Sequence, residues 1–321
     1  MKSMRKKVLK DVSLITTVLN EEDNIHEFIK SILDQTVLPR EFIIVDGGST
    51  DNTYKILKKY SEKYKWIKVY QVKGASIGKG RNIAIEKAKG KIIAVTDAGC
   101  IVDKKWLKEI TKPFFKEKNI DVVVGIYKPY YTNDFEYFQG LIIVKDPKKI
   151  FMNPSRMSIR SMAFKKKCWK EVGKLPEKYG GDDTLFNIKL IENGCKFYFV
   201  REAVVYWRMR KSLKAFSKQF YKYAVGDAHY KNFIKLKKIF FFFTFLNGFI
   251  IALTLSLIIS PKIFTYLLGS IILSLFLYGV FYSLKTKKIT GIIWMPLLFL
   301  TKTFSYFIGL WVGILRQASR S

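Results

Sequence analysis

Residues Glu41 to Thr53 read EFIIVDGGSTDNT. Phe42-Ile43-Ile44-Val45 is a run of four apolar residues, mostly β-branched, and such a run reads as a strand buried on both faces. It ends at Asp46 and opens into a turn rich in Gly, Ser and Asp. The turn after a buried parallel strand lies at the carboxyl edge of the sheet, where open α/β folds take their ligands. Gly47 and Gly48 let a ligand approach the backbone. A carboxylate beside them marks a candidate nucleotide site.

Outward from this strand, strands and helices alternate. Val12–Leu19 reads as a strand. Asn24–Leu33 carries Ile25, Phe28, Ile29, Ile32 and Leu33 at helical spacing. A helix from Asp51, with Asp51 as cap, runs to about Glu62. Strands are expected at Trp66–Gln71, Lys91–Asp97 and Ile120–Ile126, with helices at Gly78–Ala88 and Asp103–Lys116. Alternation of this kind predicts a parallel sheet flanked by helices. Beyond Tyr127 the pattern loosens. A strand at Ser158–Phe164 leads to a Gly-Gly-Asp-Asp turn at 180–183, then to a helix Thr184–Asn193 closed by Gly194.

The chain has 321 residues and a formal net charge of +31. All 26 acidic residues lie at or before Asp227, so residues 228–321 carry 11 basic residues and no acid. A strongly basic balance suits nucleic acid or an anionic membrane surface. The hydropathy of the tail favours the membrane. Ile239–Ser260 and Ile263–Leu284 are each 22 residues without a charge, and about 20 apolar residues span a bilayer core. A third apolar stretch, Ile289–Leu315, contains Pro296 and Lys302; it reads as a third span, a kinked one or a re-entrant hairpin. Lys231, Lys235, Lys237 and Lys238 before the first span, with Lys285, Lys287 and Lys288 after the second, place residues 1–238 on the cytoplasmic side. Residues 211–238 form a juxtamembrane segment. Within it, Lys211, Lys214, Lys218 and Lys222 face one way and Leu213, Phe216, Phe220 and Tyr223 the other, which suits an interfacial helix or a surface helix equally. Basic residues follow no single stripe and no nucleic-acid motif is present, so no nucleic-acid partner is expected. A small transporter is disfavoured because the spans are few and lack intramembrane acids. Cys100, Cys168 and Cys195 have neither disulfide-framework nor zinc spacing. The N-terminal apolar run is short for a signal peptide and has no cleavage site.

Three acidic sites could carry chemistry. Asp46 and Asp97 end predicted strands and converge if those strands are neighbours. Asp182-Asp183 opens a helix. Each alone has an ordinary explanation, since Asp is common at strand ends and caps. Lys73–Asn82, KGASIGKGRN, is a basic glycine-rich loop entering a helix. Backbone amides there, with Arg81, could cradle phosphate, although a solvated basic turn is the commoner explanation. The spacing is neither a P-loop nor a dinucleotide-binding GxGxxG.

The order of these pieces resembles the family 2 glycosyltransferases, over about residues 11–227. SLITTVLNEEDNI is similar to that family's opening strand and Asn-Glu turn, with Thr17 where Pro is usual. SILDQTVLPREFIIVDGGSTDNT resembles its second helix, strand and nucleotide-binding turn, with Gly47 in place of a frequent second acid. KGRNIAIEKAKGKIIAVTDAGC resembles the segment from a diphosphate-contacting Arg to a metal-binding Asp-x-Asp. GGDDTLFNIKLIENGCKF is similar to the acidic acceptor-site motif, and YWRMRKSLKAFSKQFYKYAVGD to a basic-aromatic segment of membrane-attached members. Position 99 departs from the pattern: Gly99 stands where the second metal acid is usual.

The resemblance implies an α/β GT-A fold, Rossmann-like with a mostly parallel sheet, at 1–227; the hydropathy adds a membrane region at 239–321 with two to three spans. It implies inverting transfer of a sugar from a UDP- or GDP-linked donor to a membrane-associated acceptor, a polyprenyl or dolichyl phosphate or a lipid-linked glycan. Asp183, or Asp182, would be the catalytic base. Asp46 and Glu21 would hold the nucleotide, and Arg81 the diphosphate. Arg208 and Arg210 would contact phosphate on donor or lipid acceptor, or equally are simple juxtamembrane charges. Asp97 would bind Mg²⁺ or Mn²⁺, a role compatible with one or two protein carboxylates. The alternative is an inactive nucleotide-sugar-binding or scaffold membrane protein.

Overall fold

The computed structural model describes residues 6–117, 119–144, 146–147, 157–177, 182–229 and 237–319. The chain divides into two compact units, residues 1–130 with 144–208, and residues 131–143 with 209–321.

The first unit is built on an eight-stranded sheet in the order β3-β2-β1-β4-β7-β6-β8-β5. The strands are β1 Lys7–Val18, β2 Val37–Asp46, β3 Ile67–Gln71, β4 Ile92–Val95, β5 Cys100–Val102, β6 Val122–Tyr130, β7 Met162–Lys165 and β8 Phe197–Arg208. The helices are α1 Ile25–Leu33, α2 Thr53–Lys63, α3 Ile77–Lys87, α4 Trp106–Lys116, α6 Lys166–Glu171 and α7 Asp182–Glu192; α5, at Asp134–Ile143, belongs to the second unit. Strands β3, β2, β1 and β4 pair in parallel. Strand β7 runs antiparallel to both β4 and β6, and β5 antiparallel to β8. Strand β8 pairs with β6 in parallel, so β5 and β7 alone among these strands run against the rest and the sheet is mostly parallel, as expected. Strand β7 follows directly on a 3₁₀ turn, Ile159–Ser161.

The decisive strand is buried on both faces, as its composition requires. Phe42 and Ile44 join a cluster with Leu14, Phe28, Ile32 and Trp106. Ile43 and Val45 join the opposite layer with Ile15, Ala84, Ile85, Trp169 and Phe186. Gly125 sits at a register shift between β6 and β8. A Cβ there would lie 2.2 Å from both Ala203 O and Ser161 Oγ, so only glycine lets the strands close.

Several elements begin or end differently from the sequence expectation. Helix α2 starts at Thr53, with Asn52 at the cap position and Asp51 Oδ1 accepting from Thr53 N at 3.0 Å. Helix α4 starts at Trp106, because Asp103 instead turns the chain and accepts from Lys105 N at 2.9 Å. The Gly180-Gly181 pair lies outside the described residues, and α7 begins at Asp182. Gly194 follows α7 in the left-handed region, φ +71°, as a helix-ending glycine should.

The second unit holds α5, α8 Leu213–His229, α9 Lys237–Ile259, α10 Pro261–Thr286 and α11 Gly291–Ala318. Lys231 and Lys235, in the juxtamembrane segment, lie outside the described residues. Three helices are long and apolar enough to cross a membrane: Phe240–Ile259, Pro261–Thr286 and Gly291–Ala318. The third is one continuous helix that contains Pro296, not a hairpin. Helix α8 lies along α11. A Cβ on Gly309 would come within 2.5 Å of Tyr221 O, and one on Gly313 within 2.6 Å of Ala228 Cβ. Such close approach of two helices needs small residues on both. The aromatic face of α8 is covered by protein, since Phe216 and Phe220 pack with Phe138, Met295 and Leu298.

Candidate functional site

The carboxyl ends of β1, β2 and β4 and the starts of α3 and α7 supply the candidate residues. Helix α3 places Arg81 with its side chain only 4% exposed. Its guanidinium is a fork. Nη2 donates to Asp97 Oδ1 at 2.8 Å and Nη1 to Asp183 Oδ1 at 2.7 Å. Arg81 thereby joins two acids 86 positions apart in sequence, one beyond the end of β4 and one at the start of α7. The planar, charge-assisted geometry that makes Arg suited to two oxygens at once serves here to hold two separate carboxylates.

Asp183 has further donors. Its Oδ2 accepts from Ile159 N at 3.1 Å and from Ser158 Oγ at 3.3 Å. Asp97 remains about a third exposed on its side chain. Its Oδ2 lies 3.7 Å from Arg160 Nε. Arg160, which no sequence motif singles out, packs over two rings, 3.6 Å from the centroid of Trp207 and 5.1 Å from that of Tyr127. Its Nε also donates to Ser158 Oγ at 2.8 Å. The sequence reading puts Arg160 inside an expected strand, Ser158–Phe164, whereas it sits in the 3₁₀ turn Ile159–Ser161 just before β7.

The start of α3 is closed. Ser76 caps it, with Oγ accepting from Lys79 N at 3.1 Å, and Ser76 Oγ donates to Glu177 O. A Cβ on Gly78 would fall 1.9 Å from Pro176 O. The glycine-rich loop therefore packs against 173–177 instead of opening an amide cradle. Asn82 fixes that packing. Its Oδ1 accepts from Trp169 Nε1 at 2.9 Å and Leu175 N at 3.0 Å, and its Nδ2 donates to Leu175 O at 2.9 Å and Glu177 Oε1 at 3.2 Å.

Asp46 is fully buried. Its Oδ1 accepts from Gly48 N and Ser49 N, both at 2.9 Å, and from Gln71 Nε2 at 3.1 Å; Ser49 Oγ donates to Oδ2 at 2.5 Å. Asp46 thus shapes the turn that follows β2. Gly48 has φ +98°, with the position of its Cβ 3.0 Å from Lys73 Cα, so the turn needs glycine there. This turn is latched to the Asn-Glu turn after β1. Asn20, at φ +54°, accepts at Oδ1 from Thr50 N at 2.9 Å, and Glu21 N donates to Thr53 Oγ1 at 2.8 Å. Glu22 Oε2 accepts from Asn52 N at 2.8 Å. The two turns form one wall.

Arg208 ends β8. Its N donates to Gly99 O at 3.2 Å, and its side chain lies 4.8 Å from the Tyr130 ring centroid and pairs with Glu27. Arg210 belongs to the second unit, where Nε donates to Gln219 Oε1 at 2.7 Å and N to Gln139 Oε1 at 3.0 Å. Burial pushes the Cys100 thiol up to about 12, with Asp97 and Glu21 adding to the rise and Arg160 opposing it. The thiol is no nucleophile at neutral pH.

The donor set for a divalent cation is small. Among the described residues no group of three or more His, Cys, Asp or Glu could hold one. Asp97 offers an accessible carboxylate. Gly99 offers none, and the space beyond its Cα is bounded by Glu21 Oε1, 3.8 Å from the ideal Cβ position. One accessible carboxylate suits a hard cation that takes its other oxygens from phosphate and water.

A fold with this wall and this acid pair has relatives. The family model for glycosyl transferase family 2 matches residues 13–204. The chain is 28% identical to the glycosyltransferase MJ1057 of Methanocaldococcus jannaschii over 239 residues, 69% of this chain and 80% of that protein. It is also 28% identical to the cholesterol galactosyltransferase of Borreliella burgdorferi over 120 residues, but that match covers 37% of this chain and 33% of that protein. Among solved structures, the Pyrobaculum calidifontis mannosyltransferase PcManGT, in complex with GDP-Man and Mn²⁺, superposes with a TM-score of 0.66 at 18% identity, covering 95% of this chain and 87% of that one. The matched span runs from β1, through the latched turns and both acids joined by Arg81, into β8. On that span the chain belongs to glycosyl transferase family 2.

Proposed function

We propose that the protein is an inverting glycosyltransferase, moving a sugar from a UDP- or GDP-linked donor to a membrane-associated acceptor at the cytoplasmic face. The observation that carries the reading is the Arg81 fork, which fixes Asp97 and Asp183 on either side of one guanidinium. In the reaction the bond between the anomeric carbon and the diphosphate oxygen breaks as the acceptor oxygen bonds to that carbon. Charge develops on the departing diphosphate. A divalent cation, when bound at Asp97, supplies the counter-charge. The Arg81 and Arg160 guanidiniums add fixed positive charge beside the same carboxylate.

Asp183 faces the other half of the reaction. A hydroxyl acceptor loses its proton to this carboxylate as it attacks. A phosphate acceptor, already ionised, needs no base. Asp182 precedes Asp183 at the helix start, and its side chain lies outside the described residues. The latched turns of Asp46 and Glu21 form the wall against which the nucleoside sits. Three apolar helices in the second unit support anchoring, and with it a lipid-phosphate or lipid-linked glycan acceptor.

Release of nucleoside diphosphate, measured for detergent-solubilised protein with UDP- and GDP-sugars, Mn²⁺ and polyprenyl phosphate or a lipid-linked glycan, tests this. Turnover with one donor, lost in Asp97→Asn, supports transfer. Asp183→Asn then separates the acceptors: activity is lost with a hydroxyl and kept with a phosphate. Wild type and Asp183→Asn equally inert with every donor, yet still binding nucleotide, would instead favour a non-catalytic nucleotide-sugar-binding protein.

A further inference from the structure

We infer that Glu21 supplies the second protein carboxylate to the divalent cation, in place of the acid missing at position 99. This rests on the glycosyltransferase reading of the site and names a metal ligand within it. Gly99 is two residues beyond Asp97, so a side chain there would reach the same edge of the site. An ideal Cβ on Gly99 has one heavy atom within 4 Å outside its neighbours, Glu21 Oε1 at 3.8 Å. The carboxylate oxygen of an aspartate built at this position would stop roughly one bond length short of that distance. The Glu21 oxygen therefore lies within reach of where such a carboxylate could end, supplied from the turn after β1.

Glu21 is also held in place. Its N donates to Thr53 Oγ1 at 2.8 Å, its O accepts from Asn24 N and Ile25 N, and its Oε2 accepts from Asn24 Nδ2 at 3.1 Å. The hydrogen bond to Oε2 orients the carboxylate with Oε1 toward Gly99. Outer contacts of this kind are how a protein aims a metal ligand. The absence of a side chain at 99 then has a purpose, because an aspartate would crowd Glu21 and place two anions on one oxygen position.

The test is Mn²⁺ uptake by the full chain in detergent, read from the free-ion electron paramagnetic resonance signal, with GDP and with UDP, while nucleotide binding is followed in the same titration. Glu21→Gln keeps the size of the side chain and its Asn24 hydrogen bond. It is expected to weaken Mn²⁺ binding at least about tenfold without loss of thermal stability. Gly99→Asp in the Glu21→Gln background is expected to restore binding, because the neutral amide no longer sets a second anion against the new carboxylate and ordinary contact is all a Cβ there meets. Mn²⁺ binding by Glu21→Gln equal to wild type overturns the inference. So does a loss that Gly99→Asp leaves unrepaired, since it would come from the turn and not the ligand. Wild type that binds nucleotide but no Mn²⁺ overturns it while the nucleotide site stands. Wild type that binds neither overturns both.

Discussion

Replacing Asn82 by alanine removes four hydrogen bonds from one buried side chain. Three of the groups it leaves behind are themselves buried: the Trp169 indole N–H and the Leu175 N–H and C=O, on residues 2% and 3% exposed. The fourth partner, Glu177, is exposed and regains water at little cost. A buried polar group stripped of its partner costs about 1–3 kcal/mol, and partial relaxation trims the sum, so the change destabilises by roughly 3–5 kcal/mol. For a unit of this size that lowers Tm on the order of 10 °C. Differential scanning fluorimetry of wild type and Asn82→Ala in one detergent reads the shift. Because Asn82 is next to Arg81 and grips the loop just before α7, turnover at temperatures where the variant is folded is also expected to fall, through kcat more than KM. A Tm within about 2 °C of wild type would refute the claim that this loop is held by Asn82.

Gly80→Ala would put a Cβ 2.7 Å from Thr17 Cγ2 and is expected to cost about 1–3 kcal/mol. Thr17→Ser, which removes that methyl, should recover most of it in a denaturant titration of the double variant. Glu41 is buried yet its carboxyl is held below the ordinary value of 4.5: burial would raise it, but hydrogen bonds from Lys68, Lys89 N and Ser13 outweigh burial. Its folded value is depressed, so its contribution is present above about 4.5 and lost as pH falls through the folded value. Glu41→Gln should therefore destabilise at pH 7, by about 1–3 kcal/mol, and the gap to wild type should narrow as pH falls below the ordinary value of 4.5. Gly309→Val would drive a side chain into the backbone of α8, 2.5 Å from Tyr221 O, and should open α8 to limited proteolysis without changing nucleotide binding.

The strands nearest the site were legible because their composition leaves no alternative. FIIV is too apolar for a surface strand, and both its faces are packed. The acids at the ends of β2 and β4 and at the start of α7 could be placed for the same reason. What could not be read was pairing. Strand β8 alternates weakly and finds its partners, β6 and β5, far along the chain, and β5 is three residues long. Arg160 was invisible because its role depends on Trp207 and Tyr127, both distant in sequence and brought near by that pairing. The basic glycine-rich loop misled for a related reason. A helix N-terminus flanked by Gly and Lys looks open in one dimension, but Pro176 and Glu177 close it in three. Arg81, expected to face a diphosphate, spends both terminal nitrogens on Asp97 and Asp183.

On this proposal Asp97 and Asp183, spaced by Arg81, mark the donor and acceptor sides of one transfer site. A structure of the protein with nucleoside diphosphate and Mn²⁺ tests it most directly. The diphosphate is expected at Asp97 with Mn²⁺ between them, the nucleoside along the turns of Asp46 and Glu21, and the Arg81 fork still bridging both acids. A nucleotide bound away from Asp97, or an Arg81 that has abandoned Asp183 for the ligand, would contradict it.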